Sequence, residues 1–118
     1  MDALESILAR QRAFIAERHW EQFHTPKNLA MALAGEAGEL LEQFQWLTPE
    51  QSSNLEPGKR EAVSAELADI LIYLLTLSDR LGIDLVAAAH AKFEVNAKKY
   101  PVERVRGNLK RADEYEPR

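Results

Sequence analysis

Two pairs of acidic residues occur at helical spacing in this sequence. Glu36 and Glu39 are three residues apart, and so are Glu66 and Asp69. Because residues three apart lie on one face of an α-helix, each pair predicts a local cluster of carboxylates. Both pairs interrupt apolar stretches, where close carboxylates repel one another unless a cation compensates. Oxygen ligands without thiolates are typical of sites for hard cations, so the sequence predicts a Mg²⁺ site, with Mn²⁺ as the second choice.

The elements that carry these acids are predicted to be helices. The 118 residues include only five glycines and five prolines, which cluster where the helical periodicity breaks. Thr25, Thr48 and Asp84 are the residue types that cap helix N-termini, and Gly82 is typical of a helix end. The pattern predicts an all-α protein with four long helical segments, at about 4–20, 26–46, 59–81 and 84–99, and one short helical turn beginning at Thr48.

The spacing of the acids predicts that the two pairs meet. Glu39 lies seven residues before the end of the second segment, and Glu66 lies seven residues after the start of the third. At about 1.5 Å per residue, both pairs stand about 10 Å from the same end of an antiparallel hairpin. We therefore expect the four carboxylates to face one another.

The third segment is apolar on nearly every face between Leu67 and Leu77, which is typical of a helix buried on all sides. Three other helices of modest hydrophobicity can hardly enclose it. We therefore expect a four-helix bundle completed by homo-oligomerisation. The domain is predicted to span 1–101, followed by a basic, partly ordered tail over 102–118.

Composition excludes several classes of function. Fifteen basic and nineteen acidic side chains give a net charge of −4, which offers no positive field for a nucleic-acid polymer. The absence of cysteine excludes disulfides and zinc–thiolate sites and is compatible with a cytoplasmic protein. The first residues lack a basic and apolar leader, and the longest apolar run, 70–77, is short. No secretory signal and no contact with a membrane are therefore expected.

The acidic pairs and several further motifs resemble the all-α nucleoside triphosphate pyrophosphohydrolases of the MazG-like superfamily. The family signature is E-x-x-E followed by E-x-x-D on the next helix, as at 36–39 and 66–69. The sequence is most similar to the dCTP pyrophosphatase branch, through W-E-Q-F-H at 20–24, F-Q-W at 44–46 and N-x-x-x-Y-P at 96–101. The resemblance implies Mg²⁺-dependent hydrolysis of a nucleoside triphosphate, most closely dCTP or a modified dCTP, to the monophosphate and pyrophosphate. It also implies a dimer or tetramer with a housekeeping role in nucleotide pools.

The resemblance assigns roles to particular residues. Glu36, Glu39, Glu66 and Asp69 are expected to bind Mg²⁺ and to be catalytic, with Glu39 or Glu36 as general base. Lysines are expected to bind the phosphates, and an asparagine amide is expected to bind the edge of a cytosine. Aromatic rings are expected to stack against the base, and a histidine is expected to contact phosphate or sugar. These substrate-binding residues are Trp20, His24, Trp46, Tyr73, Lys92, Asn96 and Lys99. The stretch 98–111 has six basic residues against one acidic residue, which suits an anionic ligand.

Three alternatives remain open from the sequence. The first is a pyrophosphohydrolase that prefers dUTP or dTTP, or one of broad specificity. The second is a ferritin-like carboxylate metal protein; Glu21-x-x-His24 matches half of its motif, but a second copy is needed. The third is a non-catalytic helical interaction module, which would leave the two acidic pairs unexplained.

Overall fold

The computed structural model describes residues 1–108, and within them it contains helices and no strand. This confirms the predicted all-α class. The helices in chain order are α1 (Ala3–Glu17), α2 (Pro26–Phe44), α3 (Pro49–Ser53), α4 (Pro57–Leu81), α5 (Leu85–Lys99) and α6 (Val102–Val105), with a single 3₁₀ turn at Glu21–Phe23 between α1 and α2.

Side-chain caps explain where four of these helices begin. Asp2, Thr25, Thr48 and Asp84 each accept a hydrogen bond from the backbone N–H three residues later, at 2.8–3.2 Å. These bonds satisfy N–H groups that have no partner inside the helix. The predicted caps at Thr25, Thr48 and Asp84 are therefore confirmed. Helix α4 has no side-chain cap and begins with Pro57, whose missing N–H removes one of the unsatisfied donors.

Helix α1 ends at Glu17, three residues earlier than predicted. His19 has a φ of 54°, in the left-handed region. Its N–H donates to Ala16 O at 3.2 Å, and the N–H of Trp20 donates to Ile15 O at 3.1 Å. This pair of bonds is a Schellman motif, usually built around glycine, and it turns the chain away from the helix axis just before Trp20.

The hairpin helices differ from the prediction by only two residues at their ends. Helix α2 stops at Phe44, and α4 already begins at Pro57. Gly82 ends α4 with a φ of 67°, and the N–H of Ile83 returns to Ser78 O at 2.9 Å. The predicted end of the third segment at Gly82 is confirmed.

The chain divides into two compact units, Met1–Ile83 and Asp84–Arg118. In the first unit α2 and α1 both pack against α4. The core of this unit contains Ile15, Leu29, Val63 and Leu75, together with the buried polar residues Thr76 and Ser78. In the single chain, however, Leu67 on α4 remains 52% exposed, because α1 and α2 cover only part of the helix surface.

Two polar contacts connect the helices of the first unit. Arg12 on α1 donates through Nε to Asp79 Oδ2 at 3.0 Å and through Nη2 to the other carboxylate oxygen. This contact with the Arg12 guanidinium lowers the pKa of the Asp79 carboxyl below its ordinary value. Near the loop between α2 and α4, Lys59 Nζ donates to Gln43 O at 3.1 Å. The contacts fix α1 and α2 along α4, which carries Glu66 and Asp69, two of the four predicted site acids.

The second unit consists of α5 and α6 as far as residue 108. Helix α5 has no fully buried residue, and its last turn carries Lys98 and Lys99. The part of the predicted tail that is described contains the four-residue helix α6. Lys110 and Arg111, which belong to the predicted basic stretch, lie outside the described residues. Among the described helices, none combines the length and the apolar character needed to cross a membrane.

Candidate active site

Helices α2 and α4 bring three of the four predicted acids together. One carboxylate oxygen from each of Glu36, Glu39 and Glu66 lies within 4.8 Å of the other two. Glu36 and Glu66 are partly buried, whereas Glu39 is exposed. Three oxygen donors from two adjacent helices can occupy one side of a divalent cation and leave the other side for water or substrate.

Two oxygens of this cluster are buried without a hydrogen-bond partner, Glu36 Oε2 and Glu66 Oε2. A buried carboxylate oxygen without a donor is unfavourable, and neither carboxylate can donate to the other when both are ionised. The pKa of Glu36 is raised, first by the adjacent Glu66 carboxyl, then by burial and by the negative charge of Asp69, against a smaller lowering by Glu39. A hard cation satisfies both oxygens and removes the repulsion, so these residues fit a divalent metal ion.

Asp69 has a different position from the other three acids. Its negative charge reaches Glu36 and contributes to the raised pKa of that carboxyl. Its carboxylate is outside the group of Glu36, Glu39 and Glu66, and it lines an adjoining cavity instead. The structure therefore brings three of the four predicted acids together in one cluster, and the fourth, Asp69, lines the cavity.

The cavity lies between α1, the segment that connects α1 to α2, and α4. It has a volume of about 650 Å³, within the range of about 300–1,000 Å³ that is usual for small-molecule sites. Apolar side chains form most of its lining. The residues that line it are Ile7, Arg10, Gln11, Phe14, Trp20, His24, Ala68, Asp69, Leu71, Ile72 and Tyr73.

Aromatic rings form one wall of this cavity. The Trp20 ring stacks on His24 with 6.4 Å between centroids and an interplanar angle of 16°, and it meets Phe14 edge-on at 5.8 Å. His24 Nδ1 lies 2.8 Å from Trp20 O. Because a carbonyl oxygen only accepts, Nδ1 carries the hydrogen, and in the neutral ring Nε2 is the acceptor. The wall thus combines flat apolar ring surface with one free hydrogen-bond acceptor, His24 Nε2.

The structure places Trp20, His24 and Tyr73 on the cavity, but it does not place Trp46 there. Trp46 is 86% exposed and is not a lining residue of the cavity in the single chain. The reason is that α2 ends at Phe44, so that Trp46 follows the helix in the connecting segment.

The three remaining predicted residues belong to the second unit. Lys92 is exposed, and Asn96 is partly buried, with its backbone oxygen accepting from Tyr100 N at 2.8 Å. Lys99 Nζ lies 5.9 Å from the centroid of the Tyr100 ring. Their roles in substrate binding remain predictions.

The sequence reasoning missed Arg10 and Gln11, two polar residues of α1 that line the cavity. No motif marks them. The available signal was their place on the helix: Gln11 lies four residues after Ile7 and three before Phe14, so it shares the apolar face that turns inward. A partly buried glutamine on such a face is a candidate for recognising a polar ligand.

Two mammalian proteins are similar to this chain over most of its length. Bovine dCTP pyrophosphatase 1 is 47% identical over 107 residues, which cover 89% of this chain and 63% of the bovine protein. Human dCTP pyrophosphatase 1 is 42% identical over 113 residues, which cover 94% of this chain and 66% of the human protein. This chain thus spans slightly less than two thirds of the length of these relatives.

A solved structure has the same fold. The crystal structure of a pyrophosphatase from Archaeoglobus fulgidus matches with a TM-score of 0.80 and 39% sequence identity, covering 86% of this chain and 94% of the other. The model of the MazG-like family matches residues 32–114, which include both acidic pairs. This chain belongs to the MazG-like family.

Proposed function

We propose that this chain hydrolyses a deoxynucleoside triphosphate, dCTP or a modified dCTP, to the monophosphate and pyrophosphate in a Mg²⁺-dependent reaction. The observation that carries the proposal is the pair of buried, unpartnered oxygens on Glu36 and Glu66 beside an aromatic cavity. The relatives named dCTP pyrophosphatase 1 support the choice of substrate. The role that follows is housekeeping of nucleotide pools, in the cytoplasm.

The acidic residues of α2 and α4 are proposed to hold the metal. Glu36 and Glu66, each with a buried oxygen, and the exposed Glu39 would hold it, and Asp69, outside this group of three, is proposed as a further ligand. Bound Mg²⁺ neutralises phosphate oxygens and lowers the pKa of a water molecule. Four carboxylates beside a triphosphate would otherwise repel the substrate strongly, which explains the need for a divalent cation.

Glu39 is proposed as the general base. Hydrolysis adds the hydroxyl group of water to one phosphorus of the α–β anhydride, and the bridging oxygen leaves with the other phosphate. The proton removed from water needs an acceptor close to the metal that is accessible to solvent. Glu39 meets both conditions, since it belongs to the cluster and is exposed, whereas Glu36 has one oxygen buried.

The cavity is proposed to bind the nucleoside. Trp20 and Tyr73 offer ring surface for stacking, each stacked base contributing about 1–3 kcal/mol. Gln11 and the free acceptor of His24 offer polar contacts to a base or sugar. Asp69 lines the cavity and its charge acts on Glu36, so a nucleoside in the cavity is proposed to direct its phosphates toward the metal. On α5, Lys92 and Lys99 are proposed for the phosphates and Asn96 for the edge of a cytosine.

A homo-oligomer, either a dimer or a tetramer, is proposed as the working form. The support is the amount of apolar side-chain surface that the single chain leaves open. Trp46 is 86% exposed, Met31 62%, Leu41 61%, Leu67 52% and Phe93 70%. Sedimentation at micromolar concentration tests this proposal, and a stable monomer would refute it.

The activity is tested by measuring pyrophosphate release from the canonical and 5-substituted deoxynucleoside triphosphates, with and without Mg²⁺. Release from dCTP or its 5-substituted form that depends on Mg²⁺ is expected. Glu39→Gln and Glu66→Gln should abolish turnover while circular dichroism remains unchanged. Glu61→Gln, an exposed carboxylate elsewhere on α4, is the matched control and should retain activity. Full activity of either cluster variant, or no hydrolysis of any triphosphate by the parent protein, would refute the proposal.

A further inference from the structure

An arginine near the end of α4 holds the segment that connects α1 to α2. This segment, residues 18–25, is called the connecting turn below. Arg80 Nε donates to His24 O at 2.9 Å, and Arg80 Nη2 donates to Glu21 O at 2.7 Å. A single guanidinium thus binds two backbone carbonyls of the turn from outside it.

The other side-chain bonds of the connecting turn are local. The side chains of Gln22, His24 and Asn28 donate to turn carbonyls over three, four and five residues of sequence. The two Arg80 bonds bridge 56 and 59 residues. Local bonds set the internal shape of the turn, whereas the Arg80 bonds set its position relative to α4.

The position of the turn relative to α4 determines the shape of the cavity. Trp20 and His24 of the turn line one side, and Ile72 and Tyr73 of α4 also line the cavity. Arg80 follows Tyr73 by seven residues, which is about two turns of helix. Helix α4 therefore carries Tyr73 on the cavity and, through Arg80, also holds the turn that carries Trp20.

We propose that Arg80 is a positioning residue, which fixes Trp20 and His24 against α4 and thereby sets the affinity for the nucleoside part of the substrate. It touches neither the cavity nor the acidic cluster, so it acts on binding and leaves the chemical step unchanged. The inference rests on the proposed function, because it assigns the nucleoside to this cavity.

Two features favour arginine for this task. The planar guanidinium presents several N–H donors in a fixed fork, so it can reach two carbonyls at once, whereas a lysine ammonium is a flexible point charge. The nearest acid on the same helix, Asp79, binds Arg12 through both carboxylate oxygens. Arg80 also has a charge interaction with Asp79, but its own hydrogen bonds go to the carbonyls of the turn.

The kinetic test compares Arg80→Ala and Arg80→Lys with Arg60→Ala, an exposed arginine in the first part of α4 that serves as control. Loss of both bonds should raise the KM for dCTP about tenfold, which corresponds to about 1.4 kcal/mol, with kcat changed less than about threefold. Arg80→Lys should fall between the parent and Arg80→Ala, and Arg60→Ala should match the parent. An unchanged KM in both Arg80 variants, or a loss confined to kcat, would overturn the proposal.

Hydrogen exchange supplies a readout that does not depend on activity. In Arg80→Lys the backbone N–H groups of Phe23 and His24, which bond within the turn, should exchange faster, while those around Leu75 in α4 keep the protection of the parent. Equal exchange at the turn in variant and parent would overturn the positioning role. If the parent protein hydrolyses no triphosphate, the proposed function fails separately, and the exchange measurement still decides whether Arg80 holds the turn.

Discussion

The left-handed residue that ends α1 gives a stability prediction that requires no assumption about function. His19 has a φ of 54°, a conformation that costs an L-residue with a Cβ about 1–2 kcal/mol and costs glycine nothing. His19→Gly removes this strain, but glycine also increases the conformational entropy of the unfolded chain, which offsets about 0.4–1 kcal/mol. The net gain in the free energy of unfolding is therefore about 0.5–1 kcal/mol. For a chain of this length that raises Tm by roughly 2–5 °C.

Gly82→Ala is the matched control, for which the opposite change in Tm is expected. The φ of Gly82 is 67°, and a Cβ added there would meet no atom within 4 Å, so Gly82→Ala changes only the backbone energy. That variant should lower Tm by about the amount that His19→Gly raises it. The measurement is thermal unfolding by circular dichroism at one protein concentration for all three proteins. A lower Tm for His19→Gly would refute the assignment of a strained Schellman motif at the end of α1.

Three further predictions concern single contacts. Asp79→Asn should lower the free energy of unfolding at pH 7. Because Arg12 lowers the pKa of Asp79 in the folded state, this stabilisation is present above about pH 4 and is lost as the pH falls through the lowered pKa, so the difference between variant and parent in denaturation experiments should shrink as the pH is lowered below about 4. Asp84→Ala removes the α5 cap and should destabilise that helix by about 1 kcal/mol, seen as faster hydrogen exchange in its first turn. Gln11→Ala should raise the KM for dCTP roughly 2- to 10-fold with little change in kcat, as expected for one lost hydrogen bond.

The hairpin that carries the acids could be predicted because its signals are local and strong. Thr25 caps α2 through its own hydroxyl, and Gly82 ends α4 because a left-handed residue is required there. Counting residues from the connection between the helices then placed Glu39 and Glu66 at equal heights, and their carboxylates lie together in the structure. The observed ends at Phe44 and Pro57 give counts of five and nine residues instead of seven and seven, so the meeting of the two acids depends on how α2 and α4 pack and not on helical rise alone.

The end of α1 and the lining of the cavity could not be predicted in the same way. A Schellman motif with histidine in the left-handed position has no distinctive residue, so the sequence pattern continued the helix to Trp20. Arg10 and Gln11 are ordinary polar residues of an amphipathic helix, and only packing against α4 shows that they line a cavity. Arg80 reaches carbonyls 56 and 59 residues away, a contact that no local pattern indicates.

The central claim is that carboxylates of α2 and α4 hold a divalent cation that a triphosphate shares. A crystal grown with Mn²⁺ and a non-hydrolysable dCTP analogue tests this most directly, because manganese is located by its anomalous scattering. We expect an anomalous peak within coordination distance of Glu36 and Glu66, with the analogue's phosphates on its open side and its base between Trp20 and Tyr73. An anomalous map without a peak among these carboxylates, with the analogue bound elsewhere, would contradict the metal site and the activity proposed from it.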